Sequence, residues 1–170
     1  KRPLWVIWLL SMGNMTAAQI QVASAVFHRP FKSVKRLQNE LTQMFRAGII
    51  NRQPMLNTGP GQKPFLYHLG KNAKRLCPEL KDYRNDSVLF RGRTEPREDH
   101  DWAAAEFLAQ FLRSTTQAPI EILAVLDDGQ FSFTADVPRL KRRRSIPDKT
   151  IIIRTPLGVE LLLIELERRN

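Results

Sequence analysis

The stretch that decides the fold is FKSVKRLQNELTQMFRAGII, residues 31–50. Apolar residues recur in it at steps of three and four, which places them on one face of a helix. They are Val34, Leu37, Leu41 and either Met44 or Phe45. Ser33 can cap the N-terminus of this helix, and Gly48 can end it in a left-handed conformation. The sequence therefore predicts a helix over residues 33–47.

The remaining face of this helix is basic and rich in amides. Its residues are Lys32, Ser33, Lys35, Arg36, Asn39 and Gln43. A shorter helix opening at Thr16 precedes it, with residues 25–30 as the connecting turn. Positive and amide side chains on one helix are what contacts in a DNA groove require. The alternative is a small packing unit whose basic face is only solvated.

Two short extended runs, residues 49–53 and 64–69, flank a segment rich in glycine, proline and asparagine. This pattern predicts a hairpin, and Arg52 and Lys63 flank its tip, where they can reach phosphates. The apolar run of residues 4–10 is too short to span a bilayer and predicts a first, buried helix. Together these segments predict an N-terminal winged helix-turn-helix domain over residues 1–76.

Composition agrees with a nucleic-acid partner without establishing one. The formal net charge is +10 and the sequence pI is about 10.4, a balance typical of proteins that bind polyanions. Basic ribosomal and membrane-surface proteins share it, so charge alone names no function. A hydrophobic content of 42% is enough for real cores. The single cysteine, Cys77, excludes an internal disulfide framework and favours a reducing cytoplasm.

The second half of the chain predicts a different kind of unit. Residues 77–98 are polar and turn-prone and are the expected linker. An apolar face over residues 99–113 predicts a helix, and residues 120–126, 131–135 and 149–154 predict strands. Residues 159–166 are nearly all apolar, which is typical of a central strand covered on both sides. The expected fold class is therefore α+β, with a small α/β domain over residues 99–170.

The order of several motifs resembles the replication-relaxation proteins of plasmids and phages. The matching segments are residues 41–50, 65–70, 100–107, 147–148 and 163–168. The family combines a winged helix with a nuclease-like (restriction-endonuclease-like) α/β domain. Its pattern continues beyond the final acidic strand, so the resemblance implies a further C-terminal part beyond Asn170.

Acidic residues of the second half resemble part of the PD-(D/E)XK nuclease pattern. Pro147-Asp148 and Glu165 match the first two acids, which in such enzymes hold Mg²⁺ on neighbouring strands. Glu167 is a candidate third acid, but the pattern has lysine there, and a carboxylate adds negative charge beside the phosphate. We therefore favour inactive or structural acids over an enzyme, and expect no cofactor unless a Mg²⁺-dependent nuclease uses Asp148 and Glu165.

The densest basic run, residues 141–144, is interpreted as a loop that grips phosphates without reading bases. It comprises Lys141, Arg142, Arg143 and Arg144. The preferred hypothesis is a cytoplasmic protein of a mobile element that binds double-stranded DNA in replication initiation, maintenance or regulation. In it Lys35, Arg36 and Asn39 read bases. A homodimer and a replication-protein partner are compatible with it, and no membrane is expected. The alternatives are the nuclease or nickase and a protein-interaction module.

Overall fold

The computed structural model describes residues 2–55, 64–82, 90, 95–127, 133–135, 143–145 and 147–166. The fold is mixed, with α-helices and small antiparallel sheets. The chain divides into two compact units, residues 1–116 and 117–170. Within the described residues, no helix is both long enough and apolar enough to cross a membrane.

The first unit is built from helices and a three-stranded antiparallel sheet. Its helices are α1 (Arg2–Leu10), α2 (Ala17–Ala23), α3 (Val34–Arg46), α4 (Ala73–Leu76) and α5 (Glu95–Thr115), with 3₁₀ turns at Ser24–Val26 and Pro78–Asp82. Its strands are β1 (Met15–Thr16), β2 (Ile50–Pro54) and β3 (Phe65–Leu69), in the order β1-β3-β2. The two predicted hairpin strands are therefore confirmed, whereas β1 was too short for its pattern to reveal.

Side-chain caps define where the two helices of the predicted pair begin. The Thr16 hydroxyl accepts from the Gln19 backbone N–H, and the Gln19 side chain in turn accepts from the Thr16 N–H at 2.9 Å, a reciprocal capping box. Ser33 Oγ accepts from Arg36 N at 3.3 Å at the start of α3. The helix spans Val34–Arg46, within one residue of each predicted end. Leu37 and Leu41 are fully buried, which confirms the predicted apolar face.

Two glycines bring the end of α3 against the end of β3. Gly48 has φ of +67°, the left-handed conformation predicted for it. A Cβ on Gly70 would lie 2.4 Å from the carbonyl oxygen of Gly48, so the two backbones touch. Asn72 completes the contact, since its Nδ2 donates to Ala47 O at 2.7 Å and its N–H to Gly48 O at 3.0 Å. The end of α3 and the end of the hairpin are therefore held together at this junction.

Helix α5 belongs to the first unit, which moves the boundary away from the predicted linker at residues 77–98. It packs against α2, and the Gln19 side chain donates to Trp102 O at 3.1 Å. Its buried face is made of small residues and leucine, which allow close approach: Ala104, Ala105, Leu108, Ala109 and Leu112. The apolar stripe that predicted this helix was correct, but the partner it covers lies 83 residues earlier in the sequence.

The second unit consists of strands in its described part. They are β4 (Glu121–Asp127), β5 (Phe133–Ala135), β6 (Arg143–Ser145), β7 (Lys149–Thr155) and β8 (Gly158–Ile164). Three of them form an antiparallel sheet in the order β4-β7-β8, and β5 pairs with β6. The helix expected to make this part an α/β domain is α5, which clusters with the first unit instead.

Two expectations about the second unit are corrected. Among the described strands β8 is an edge strand, not a central one, and Val159, Leu161 and Leu163 are 63%, 47% and 42% exposed. The central strand is β7, because its register pairs it on both sides. Arg143 and Arg144 lie in β6 and not in a loop, since residues 143–145 pair with β5. Lys141 and Arg142 lie outside the described residues.

Candidate nucleic-acid interface

The turn before α3 is anchored to α2 by side-chain hydrogen bonds. Ser24 Oγ accepts from Phe31 N at 3.0 Å and donates to Gln21 O at 2.7 Å. The Gln21 side chain donates to Phe31 O at 3.0 Å, and Phe31 itself is 3% exposed. These contacts fix the position of the chain at the start of α3, and with it the backbone that carries the exposed side chains of that helix.

One row of exposed polar side chains runs along α3 opposite its core face. Each helical residue turns by about 100°, which places these side chains away from the buried Leu37, Leu41 and Met44. The row, here called the recognition row, consists of Lys35, Asn39, Gln43 and Arg46, all exposed. The first three were predicted from the sequence. Arg46 was missed, although its spacing of seven residues from Asn39 is the signal that reveals it.

A cavity of about 430 Å³ lies at the start of α3. It is called the basic cavity and is lined by His28, Arg29, Pro30, Phe31, Lys32, Ser33 and Arg36. Three lining residues carry a fixed positive charge, and a helix N-terminus adds a partial one. This combination suits a phosphate group. The predicted residues Lys32, Ser33 and Arg36 meet here, whereas His28 and Arg29 were treated as connecting turn.

Arg52 is held differently from the expectation that it reaches out to phosphate. Its guanidinium lies 4.6 Å from the Phe45 ring centre and 4.3 Å from that of Phe65, a double cation-π contact. It also hydrogen-bonds the side chain of Tyr67. Burial raises the pKa of Tyr67 and Arg52 partly opposes that shift, so the phenol stays protonated at neutral pH. Arg52 therefore ties the end of α3 to the hairpin.

A larger groove of about 600 Å³ lies on the other side of α3. It is called the aromatic groove. Its lining residues are Thr16, Ala17, Ala18, Val34, Gln38, Thr42, Arg52, Pro64, Phe65, Tyr67 and Trp102. Every one of them belongs to the first unit. The sequence did not reveal this groove, because its lining residues come from five separate segments of the chain.

The remaining predicted site residues fall outside this interface. Lys63 and Glu167 lie, like Lys141 and Arg142, outside the described residues. Asp148 and Glu165 belong to the second unit, and the pairing of Lys149 with Ile164 makes them neighbours at the ends of β7 and β8. Asp148 Oδ2 accepts from Leu166 N at 2.8 Å, so this carboxylate already bonds the backbone.

The two acids fit a metal only in part. Two carboxylates on neighbouring strands can supply oxygen ligands to Mg²⁺, which keeps several waters in most protein sites. Within the described residues, however, no group of three or more histidine, cysteine, aspartate or glutamate side chains is close enough to hold a metal ion. The described part of this cluster is thus a pair of carboxylates, one of which, Asp148, accepts a backbone hydrogen bond.

Comparisons of the chain with family models, with curated proteins and with solved structures found no match. The resemblance to replication-relaxation proteins consequently stays a prediction from the motifs.

Proposed function

We propose that this chain is a winged-helix protein that binds double-stranded DNA by inserting α3 into the major groove. The observation that carries the proposal is the recognition row, a line of two cations and two amides on the exposed face of a capped helix. An α-helix fits the major groove, where arginine or lysine pairs with guanine and asparagine or glutamine with adenine. The hairpin of β2 and β3 would be the wing beside the groove.

The contacts divide into two chemical roles. Lys35, Asn39, Gln43 and Arg46 face away from the core and are the proposed base readers. Arg29, Lys32 and Arg36 line the basic cavity and are the proposed phosphate contacts, since clustered cations suit an anion and carry no sequence information. The motif resemblance adds a proposed role in replication initiation, maintenance or regulation of a mobile element.

The test compares two alanine variants on a preferred site and on random duplex. Asn39→Ala should weaken preferred-site binding by about 1–3 kcal/mol, the usual value of a good base contact, and leave random-duplex binding nearly unchanged. Lys32→Ala should weaken both equally and lower the slope of log affinity against log salt by about one. Fluorescence anisotropy over a salt series measures both quantities.

The matched control is Arg113→Ala, which removes an exposed cation from the last turn of α5, outside both cavities. It should bind like the unchanged protein. If Asn39→Ala lowers affinity for all duplexes alike, base reading by α3 is wrong. If no nucleic acid binds at low salt, the interaction-module alternative replaces the proposal.

A Mg²⁺-dependent nuclease is the second candidate, favoured by the adjacency of Asp148 and Glu165 at the ends of paired strands. The carboxylates would supply metal ligands, and the metal would activate water and stabilise the phosphate charge. The test is cleavage of supercoiled DNA with and without Mg²⁺. Loss of cleavage in Glu165→Gln, at unchanged stability, supports this candidate; cleavage that persists in Asp148→Ala eliminates the site.

A further inference from the structure

We propose that the aromatic groove binds an unpaired nucleobase, so that the protein recognises a junction between duplex and single-stranded DNA. This inference deepens the proposed function and rests on it, because the groove is open beside the helix assigned to the duplex. It adds a second ligand class, a base outside the double helix. A volume of about 600 Å³ lies within the range of sites that hold small ligands, about 300–1,000 Å³.

Aromatic side chains give this groove its chemical character. Trp102 is 41% exposed although tryptophan is a large apolar residue. Phe65 and Tyr67 also line the groove, with ring centres 6.4 Å apart; Tyr67 is only 4% exposed, so the rings open to a ligand are those of Trp102 and the half-buried Phe65. Flat apolar rings that border an open space are suited to stacking on another flat ring, and any nucleobase offers such a face.

The guanidinium of Arg52 is a further planar group in the same wall. It is fixed between Phe45 and Phe65, which leaves it little rotational freedom to lose when a ligand binds. With its faces against these rings, the guanidinium can still donate hydrogen bonds from its edge, and its positive charge attracts a nucleic-acid backbone. An aromatic side chain of a protein partner would use the rings but gain less from this charge.

Polar groups line the opposite wall, on α3 itself. Gln38 and Thr42 are one helical turn apart, and both face the groove. A glutamine amide and a hydroxyl can donate and accept hydrogen bonds at the edge of a base. Gln38 is the immediate neighbour of Asn39 in the recognition row, so an unpaired base in the groove would lie next to the duplex read by α3.

The experiment measures binding of a blunt duplex and of the same duplex with a short single-stranded overhang. We expect the overhang duplex to bind about tenfold more tightly, the usual effect of one stacked base. Trp102→Ala should remove this preference and leave blunt-duplex affinity unchanged. A 2-aminopurine placed in the overhang should lose fluorescence on binding the unchanged protein and not on binding Trp102→Ala.

Two controls separate stacking from folding. Phe107→Ala removes another exposed aromatic of α5, 39% exposed and outside the groove, and should keep the preference. Trp102→Phe should restore most of it, because phenylalanine can also stack. Gln38→Ala tests the opposite wall at a position where alanine favours the helix, and should reduce the preference.

The outcomes distinguish this inference from the function on which it rests. Equal affinity for blunt and overhang duplexes, or a preference that survives Trp102→Ala, overturns the inference and leaves duplex binding intact. If the protein binds single strands through Trp102 but does not bind duplex, the proposed function is wrong and the assignment of the groove as a nucleobase site is supported. If no nucleic acid binds, both are wrong, and an aromatic-bearing peptide becomes the ligand class to examine.

Discussion

Helix α3 and strand β8 both carry leucines that the sequence assigned to a core, yet the structure buries those of α3 and leaves those of β8 partly exposed. Leu37 and Leu41 of α3 are completely buried, whereas Leu161 and Leu163 of β8 are 47% and 42% exposed. Alternate strand residues point to opposite faces, so an apolar run places apolar side chains on both faces but does not show whether anything covers either face. In α3 the polar residues of one face identify the exposed side of the helix. The β8 sequence has no such polar face, so it does not indicate which side is exposed.

The largest expected difference between these segments is in stability. Leu41→Ala should lower the free energy of unfolding by about 2–5 kcal/mol, because it leaves a cavity in a fully packed site. Leu161→Ala should cost only about 0.5 kcal/mol, as for most exposed positions. Urea unfolding followed by circular dichroism compares the two. A large loss for Leu161→Ala that depends on protein concentration would contradict the comparison and show that another chain covers β8.

A smaller effect is expected at the junction that ends α3. Gly70→Ala places a Cβ 2.4 Å from Gly48 O, and the overpacking should cost about 1–3 kcal/mol. Asn72→Ala is the matched variant, since it removes the bond to Ala47 O without adding atoms and should cost about 1 kcal/mol. Thermal unfolding ranks the variants. A Gly70→Ala protein as stable as the unchanged one would mean that the two backbones separate without cost.

Removal of the α3 cap should have a still smaller effect. Ser33→Ala deletes the oxygen that accepts from Arg36 N, which should cost about 1 kcal/mol. Ser114→Ala is the control, since its hydroxyl donates to Phe111 O inside a helix end and should change stability by less than about 0.5 kcal/mol. Amide exchange in the first turn of α3 should accelerate only in Ser33→Ala. Equal acceleration of exchange in both variants would show that the Ser33 cap does not stabilise the first turn of α3.

The smallest effect is a pH dependence in β3. Burial lowers the pKa of His68 from its ordinary value of 6.5, and backbone contacts with Leu69 and Phe90 oppose the shift in part. The unfolded chain therefore binds the proton more readily, so this contribution to stability is present above pH 6.5 and is lost as pH falls through the lower folded pKa. Urea midpoints from neutral to mildly acidic pH measure it.

His68→Gln should flatten that part of the pH profile. His28→Gln, at an exposed position of the basic cavity, should retain it. A profile that is unchanged in His68→Gln would assign the pH dependence to other groups.

The accuracy of the sequence predictions differs between elements for a physical reason. Helix α3, its cap and its glycine stop are set by residues within one or two turns of each other, so periodicity and capping chemistry located them. The predicted linker at residues 77–98 differs from the division after residue 116, because α5 meets α2 across a separation of 83 residues and no local pattern carries that contact. Arg46 was overlooked in a helix whose period pointed to it.

By itself the sequence determined the basic helix α3, the hairpin strands around a turn-rich segment, the positive charge and most of the strands of the second half. These depend on short-range geometry and on composition. Only the tertiary structure decided that α5 packs with the first unit, that β8 is an edge among the described strands, and that the Arg52 guanidinium contacts two aromatic rings. It alone assembled the basic cavity and the aromatic groove, because cavities form between segments whose distance along the chain says nothing about their distance in space.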